Sequence, residues 1–224
     1  MPTLYIANKN YSSWSLRPWV LLRELGIPFE EKMMPFHGGA FTTFSPSGKV
    51  PCLVDGAITV WDSLAIAEYV AESHPKVWPA DKAARAFARC AAAEMHSGFT
   101  ALRTQCGMNC GIRVKLHRVD GALERDLARL NTLWKDGLQR FGGPFLAGDR
   151  FSAADAFFAP VAFRIQTYAP PLDDVANTYA RRLLALPSMR EWYADALKET
   201  WRHSAHENEV TEWGIVTEDL RAVA

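Results

Sequence analysis

The chain is poor in several things that would each have set its class. Four cysteines in 224 residues, Cys52, Cys90, Cys106 and Cys110, are too few for a disulfide framework and read as free thiols. A zinc site needs three or four protein ligands. Neither Cys106 and Cys110 with His96 and His117 nor His203 with His206 falls into such a pattern, so no metal is expected. Charge of one sign is not in excess: 25 Lys and Arg balance 25 Asp and Glu, for a pI near 7.0. That balance argues against nucleic acid or a lipid surface as the main partner. No run approaches the roughly 20 apolar residues that span a bilayer. No basic segment leading into an apolar run opens the chain, so the expected location is the cytoplasm. A Gly-x-Ser-x-Gly elbow is absent and no histidine is evidently placed to deprotonate a serine, which excludes an obvious serine hydrolase.

What is present is apolar. Hydrophobic residues make up 49%, with 8 Trp and 12 Phe, enough to bury a substantial core and too many for disorder. Residues 1–76 alternate strand and helix signals. Leu4–Ala7 reads as a strand, and Trp19, Val20, Leu22 and Leu25 as one face of a helix stopped by Gly26 and Pro28. Phe29–Met34 reads as a second strand. Cys52–Val54 and Ile58–Val60 flank Asp55-Gly56-Ala57, a hairpin signal. Ser63–Ser73 returns to helical spacing. The order β-α-β then β-β-α predicts a mixed sheet. Beyond a linker at 77–80 the strand pattern disappears, and residues 81–224 read as an all-helical domain. Its helices are expected at Asp81–Thr104, His117–Phe141, Ser152–Tyr168, Asp174–Leu186 and Ser188–Trp201. Ser152/Asp155 and Ser188/Glu191 have capping-box spacing.

Two stretches carry chemistry. Tyr11-Ser12-Ser13-Trp14-Ser15-Leu16-Arg17-Pro18 places hydroxyls before a helix, where amides and the helix dipole favour an anion. With Pro18 in the first turn, that helix starts around Ser15, which then serves as N-cap. Ser12 and Ser13 read first as capping residues, which serines before a helix commonly are, and second as donors to an anionic ligand. Lys49-Val50-Pro51-Cys52 sets a proline at a strand edge, where Val50 can offer its peptide groups to an extended ligand. Asp62-Ser63 is a helix cap by itself; as a pair it also suits the ammonium and carboxylate of an amino-acid terminus.

In order and spacing these motifs resemble the glutathione transferase superfamily over nearly the whole chain. Ser12–Arg17 is similar to the Ser-Ser-Cys-Ser-Trp-Arg motif of the zeta class, which includes maleylacetoacetate isomerases. Val50-Pro51 matches the cis-proline element, Asp62-Ser63 the Glu/Gln-Ser pair, and Ser152 with Asp155 the structural capping box of the C-terminal domain. The resemblance implies a thioredoxin-like α/β N-terminal domain, an all-α C-terminal domain, glutathione as co-substrate, a small electrophile as partner and a homodimer active in detoxification. It implies that Ser12 donates to the glutathione sulfur, with Ser13 as its neighbour and rival. Val50 would pair with the cysteinyl backbone, Pro51 would fix that geometry, and Asp62 and Ser63 would hold the γ-glutamyl end. Lys49 or His37 would meet the glycyl carboxylate. Trp14, Met95, Phe99, Leu102, Arg103 and Tyr168 are candidates to face the electrophile.

Two positions depart from the zeta pattern: Trp14 replaces its cysteine, and Asp62 stands for Glu or Gln. Conjugation and cis–trans isomerisation are both open to such a site. A non-catalytic glutathione-binding scaffold is an alternative. A glutathione-dependent thiol reductase is another, but it ordinarily needs a cysteine where this chain has Ser-Ser-Trp-Ser.

Overall fold

The structure, a computed structural model, describes residues 1–36 and 41–223. Strands β1 (Thr3–Ile6), β2 (Glu30–Met33), β3 (Cys52–Asp55) and β4 (Ile58–Trp61) form one sheet in the order β2-β1-β3-β4. β1 and β2 run parallel, joined through helix α1 (Ser13–Glu24), while β3 is antiparallel to both β1 and β4. This is the expected mixed thioredoxin-like sheet. Asp55 pairs with Ile58 across Gly56-Ala57, and Gly56 takes φ 59, which glycine adopts without a Cβ penalty. At the end of α1 the Gly26 amide bonds Arg23 O and the Ile27 amide bonds Leu22 O. With Gly26 at φ 66, this is a Schellman stop that turns the chain into β2. Helix α2 (Ser63–Ser73) follows β4 directly.

The C-terminal domain is helical: α3 (Lys82–Ser97), α4 (Thr100–Gln105), α5 (Gly121–Arg140), α6 (Ala153–Tyr168), α7 (Asp174–Leu184), α8 (Pro187–Lys198) and α9 (Ser204–Trp213). Helix α6 is apolar on nearly every side and is the buried axis of this half. It packs against α1 of the first domain and against α3 and α7. Trp19 on α1 meets Trp192 on α8 edge to face, ring centres 5.1 Å apart, across the domain junction.

Four local expectations are corrected. Helix α1 begins at Ser13 with Ser12 as N-cap residue, so Ser15 lies inside the helix and Pro18 falls in its second turn. The segment 81–104 is two helices, because Phe99 adopts a left-handed conformation at φ 53 just after Gly98. Ser188 does not cap α8: Pro187 opens that helix, and the Ser188 hydroxyl donates to Glu24 across the domains at 2.5 Å. Beyond Trp201 the chain forms α9, and then a strand, β6 (Gly214–Asp219), pairs antiparallel with β5 (Ile112–Leu116). The helical domain thus carries a two-stranded ribbon. Cys106 and Cys110 lie between α4 and β5, both buried.

The Ser152/Asp155 capping box is present. Asp155 is fully buried and accepts from the amides of Ser152 (2.9 Å) and Leu146 (3.0 Å), the Ser152 hydroxyl (3.0 Å) and the Tyr179 hydroxyl (2.6 Å). Burial is the largest influence on its carboxyl and raises its pKa, with those donors pulling the other way. Replacing it strands several buried donors. Asp155→Ala should therefore lose about 3 kcal/mol of stability in urea unfolding. An unchanged midpoint would show that the turn before α6 holds itself.

Candidate functional site

A cavity of about 770 Å³ opens between the two domains, within the roughly 300–1,000 Å³ usual for small-molecule sites. One wall is the start of α1, with Tyr11, Ser12, Ser13 and Trp14; another is Gly48, Lys49 and Val50. The opposite side comes from α4 and the loop after it (Thr100, Arg103, Met108), from Arg164 on α6, and from His206, Glu209, Glu212 and Trp213 on α9.

The Val50–Pro51 peptide is cis. It sits directly before β3, with Val50 half-buried on the cavity and Pro51 buried behind it.

Ser12 occupies the N-cap position, yet its side chain makes no cap hydrogen bond. Its hydroxyl donates instead to Ser15 Oγ at 2.7 Å, and Ser15 Oγ also accepts from the Ala7 amide at 3.2 Å. The serine that was expected to cap the helix thus ties the end of β1 to its first turn. Ser12 lines the cavity at the positive end of α1. Ser13, also on the cavity, has no side-chain hydrogen bond among the described residues.

The loop that presents these hydroxyls is held by the other domain. Glu199, at the end of α8 and nearly buried, accepts from the amides of Lys9 (2.6 Å) and Asn10 (3.2 Å) and from Asn10 Nδ2 (3.2 Å). Trp192 Nε1 donates to Lys9 O at 2.8 Å, and the Cys110 amide donates to Asn10 O at 3.2 Å. Lys9 Nζ pairs with Glu31 and Asp195, both at 2.9 Å.

Asp62 and Ser63 stand apart from the cavity lining, at the start of α2. Asp62 takes φ 75, a strained value for a residue with a Cβ, and its carboxylate accepts from the Leu64 amide at 2.8 Å. Its other oxygen lies 3.6 Å from His96 Nε2. Ser63 is fully buried, 3.5 Å from Arg17 Nη1. Arg17 links this corner to the cavity: its guanidinium lies 4.1 Å from the Trp14 ring centre, whose ring also receives Arg103 at 4.8 Å. Burial, then repulsion from Arg103 and Arg164, lowers the Arg17 pKa to about 9. Burial lowers that of Arg164 to about 10. Nε of both is buried without a hydrogen-bond partner among the described residues.

Of the candidates for the electrophile face, Trp14 and Arg103 line the cavity. Met95, Phe99 and Leu102 are buried in the core instead, and Tyr168 spends its hydroxyl on Gly107 O at 2.9 Å. Helical spacing alone cannot tell a core face from a pocket face. His37 lies outside the described residues. Sequence reasoning missed Tyr11, Arg164 and all of α9. For Arg164 a signal existed, a lone cation ending the apolar run Ala156–Phe163.

With this geometry in place, comparison with known proteins is direct. Residues 11–73 match the family described as glutathione S-transferase, N-terminal domain, and residues 113–195 its C-terminal domain. The chain is 26% identical over 217 residues to the glutathione S-transferase-like protein OpS6 of Beauveria bassiana, covering 88% of this chain and 89% of that one. It is 30% identical over 175 residues to maleylacetoacetate isomerase of Rattus norvegicus, covering 71% and 76%. A glutathione transferase homolog from Burkholderia gl BGR1, solved with bound glutathione, superposes at TM-score 0.66 and 25% identity, covering 87% of this chain and 97% of that one. The chain belongs to the glutathione S-transferase superfamily.

Removing the Glu199 carboxylate leaves the Lys9 and Asn10 amides without an acceptor. Glu199→Ala should cost about 3 kcal/mol in urea unfolding and lower protection of amides 9–13 against hydrogen exchange. Protection equal to the parent's would mean that the loop is held from its own domain.

Proposed function

We propose that the chain is a glutathione transferase that ionises the glutathione thiol at the start of α1 and directs the thiolate at a small electrophile in the interdomain cavity. The observation that carries this reading is the Ser12 hydroxyl. It occupies a helix N-terminus without capping it, and it shares a cavity with the cis Val50–Pro51 peptide. Val50 offers its peptide groups to the cysteinyl segment of the ligand. Lys49 meets the glycyl carboxylate, and the γ-glutamyl end reaches past the cavity lining toward Asp62 and Ser63 at the start of α2.

In the free protein Ser12 donates to Ser15. When sulfur arrives, the pair reverses: Ser15 donates to Ser12, and the Ser12 proton turns to the sulfur. Both hydroxyls can donate and accept, so the reversal loses no hydrogen bond. A free thiol has a pKa of about 8.5 and reacts as thiolate. A hydroxyl donor and a helix end together favour the thiolate by roughly one to two pKa units. The thiolate then forms a bond to an electrophilic carbon. Conjugation follows if a leaving group departs, and isomerisation follows if the adduct rotates and expels sulfur again. Arg103 and Arg164 face this space from α4 and α6, while the carboxylates on the cavity, Glu209 and Glu212, lie on α9; the arginine side favours an electrophile carrying a carboxylate. No cysteine lines the cavity among the described residues, and Cys52 is buried in β3 with its thiol pKa raised by burial. Both observations weigh against the thiol reductase reading.

Ultraviolet titration of bound glutathione tests the mechanism. The parent should show a thiol pKa one to two units below the free value of about 8.5, and Ser12→Ala should return it. Because the thiolate is the reactive form, kcat/KM should climb as pH rises through that pKa and level off above it. A response in Ser13→Ala alone would reassign the donor, and an unshifted thiol in the parent would end the reading in favour of a binding scaffold. Arg103→Gln should raise KM about tenfold for a maleyl-type acid and spare a neutral aryl halide. Equal effects on both would remove the carboxylate preference.

A further inference from the structure

The end of the chain is built into the wall behind the proposed sulfur site. After β6 the Leu220 amide donates to Gly111 O (2.8 Å) and the Ala222 amide to Leu197 O (2.7 Å). Between these two anchors the Arg221 side chain turns inward and is only 4% exposed. Its guanidinium engages two carboxylates at once. Nη1 and Nη2 donate to Glu207 at 2.6 and 3.0 Å, while Nε and Nη2 donate to Asp219 at 2.8 and 2.7 Å. The same Glu207 oxygen that meets Nη1 accepts from the Tyr11 hydroxyl at 2.7 Å, and Nη1 also donates to that hydroxyl at 3.2 Å.

Gly111 makes the path possible: a Cβ there would stand 2.2 Å from Arg221 Cγ. Tyr11 precedes Ser12, and its carbonyl accepts from the Ser13 amide at 2.8 Å. Glu207 lies on α9, the helix that walls the cavity opposite the serines. One arginine near the C-terminus therefore touches both the serine loop and the far wall.

We propose that Arg221 is a positioning residue that holds Tyr11 and α9 through Glu207 and thereby fixes the distance between the Ser12 loop and the electrophile wall. The inference rests on the proposed thiol activation for its kinetic readout, not for its structural one. Two paired carboxylate forks fix a guanidinium in orientation as well as in place. Lysine offers a single point charge and cannot reproduce them.

Five forms of the full chain test this: the parent, Arg221→Met, Arg221→Lys, Gly111→Ala and the Gly111→Ala/Arg221→Met double variant. Hydrogen exchange at amides 11–16 reads the loop without any turnover. Arg221→Met should speed exchange there about tenfold or more, Arg221→Lys less, and Gly111→Ala about as much as Arg221→Met, because the added methyl evicts the same side chain. The Gly111→Ala/Arg221→Met double variant should add little to either single change. In turnover, Arg221→Met should raise KM for the electrophile several-fold and shift the bound thiol pKa back toward the free value.

A lower urea midpoint with parent-like exchange at 11–16, parent-like KM and parent-like thiol pKa would overturn the proposal, leaving Arg221 a staple for the C-terminus. Full additivity in the double variant would overturn it as well. If the parent's bound thiol is itself unshifted, the proposed function fails. The positioning role is then decided by exchange alone, with faster exchange at 11–16 in Arg221→Met supporting it and unchanged exchange refuting it.

Discussion

The Glu199 carboxylate gathers the Lys9 and Asn10 amides at the end of α8, and the placement of the serine hydroxyls follows from that contact. A loop between a strand and a helix has peptide groups that neither element can pair. In this chain the second domain supplies most of the partners, through Glu199, Trp192 and Cys110. Burial opposes the charge on Glu199 and raises its pKa, so its donors are what make the ionised form tolerable there. The two domains differ in architecture, but the loop of the first is complete only against the second. The cavity is consequently a property of the junction.

Much of the fold was legible because it is written in local chemistry. Gly26 ends α1, Asp55-Gly56 turns the hairpin, and Ser152 with Asp155 caps α6, each through bonds within a few residues. The errors came where a loop or cross-domain contact overrode a capping preference. Ser15 and Ser188 look like caps by spacing. Ser15 instead serves the Ala7 amide and Ser12, and Ser188 serves Glu24 on the other domain. Sequence spacing holds no record of those partners. The ribbon of β5 and β6 was illegible for a similar reason, since its strands lie about a hundred residues apart and β6 is largely exposed, with no buried face to mark it.

The candidate site divides along the same line. Ser12, Ser13, Lys49 and Val50 line one cavity, each carried by an element adjacent to it in sequence. The far wall did not follow from spacing. Met95 and Leu102 have helical periodicity toward the core, while the cavity is lined by Arg103 beside them and by α9 from beyond the last expected helix. A wall assembled from three distant segments can be read only once those segments are packed.

Trp14 shows how one replacement reorganises the neighbourhood. An indole stands where the zeta motif has a cysteine, and its ring receives Arg17 at 4.1 Å and Arg103 at 4.8 Å. Two cations that repel each other are thus brought to one aromatic surface, where the ring quadrupole offsets part of the repulsion. Arg17 remains buried against the start of α2, its pKa lowered first by that burial and then by its cationic neighbours, with Asp62 as the charge that opposes the shift. A small thiol at position 14 would remove that surface and leave the two guanidinium groups facing each other. The tryptophan therefore holds Arg17 and Arg103 together beside the cavity.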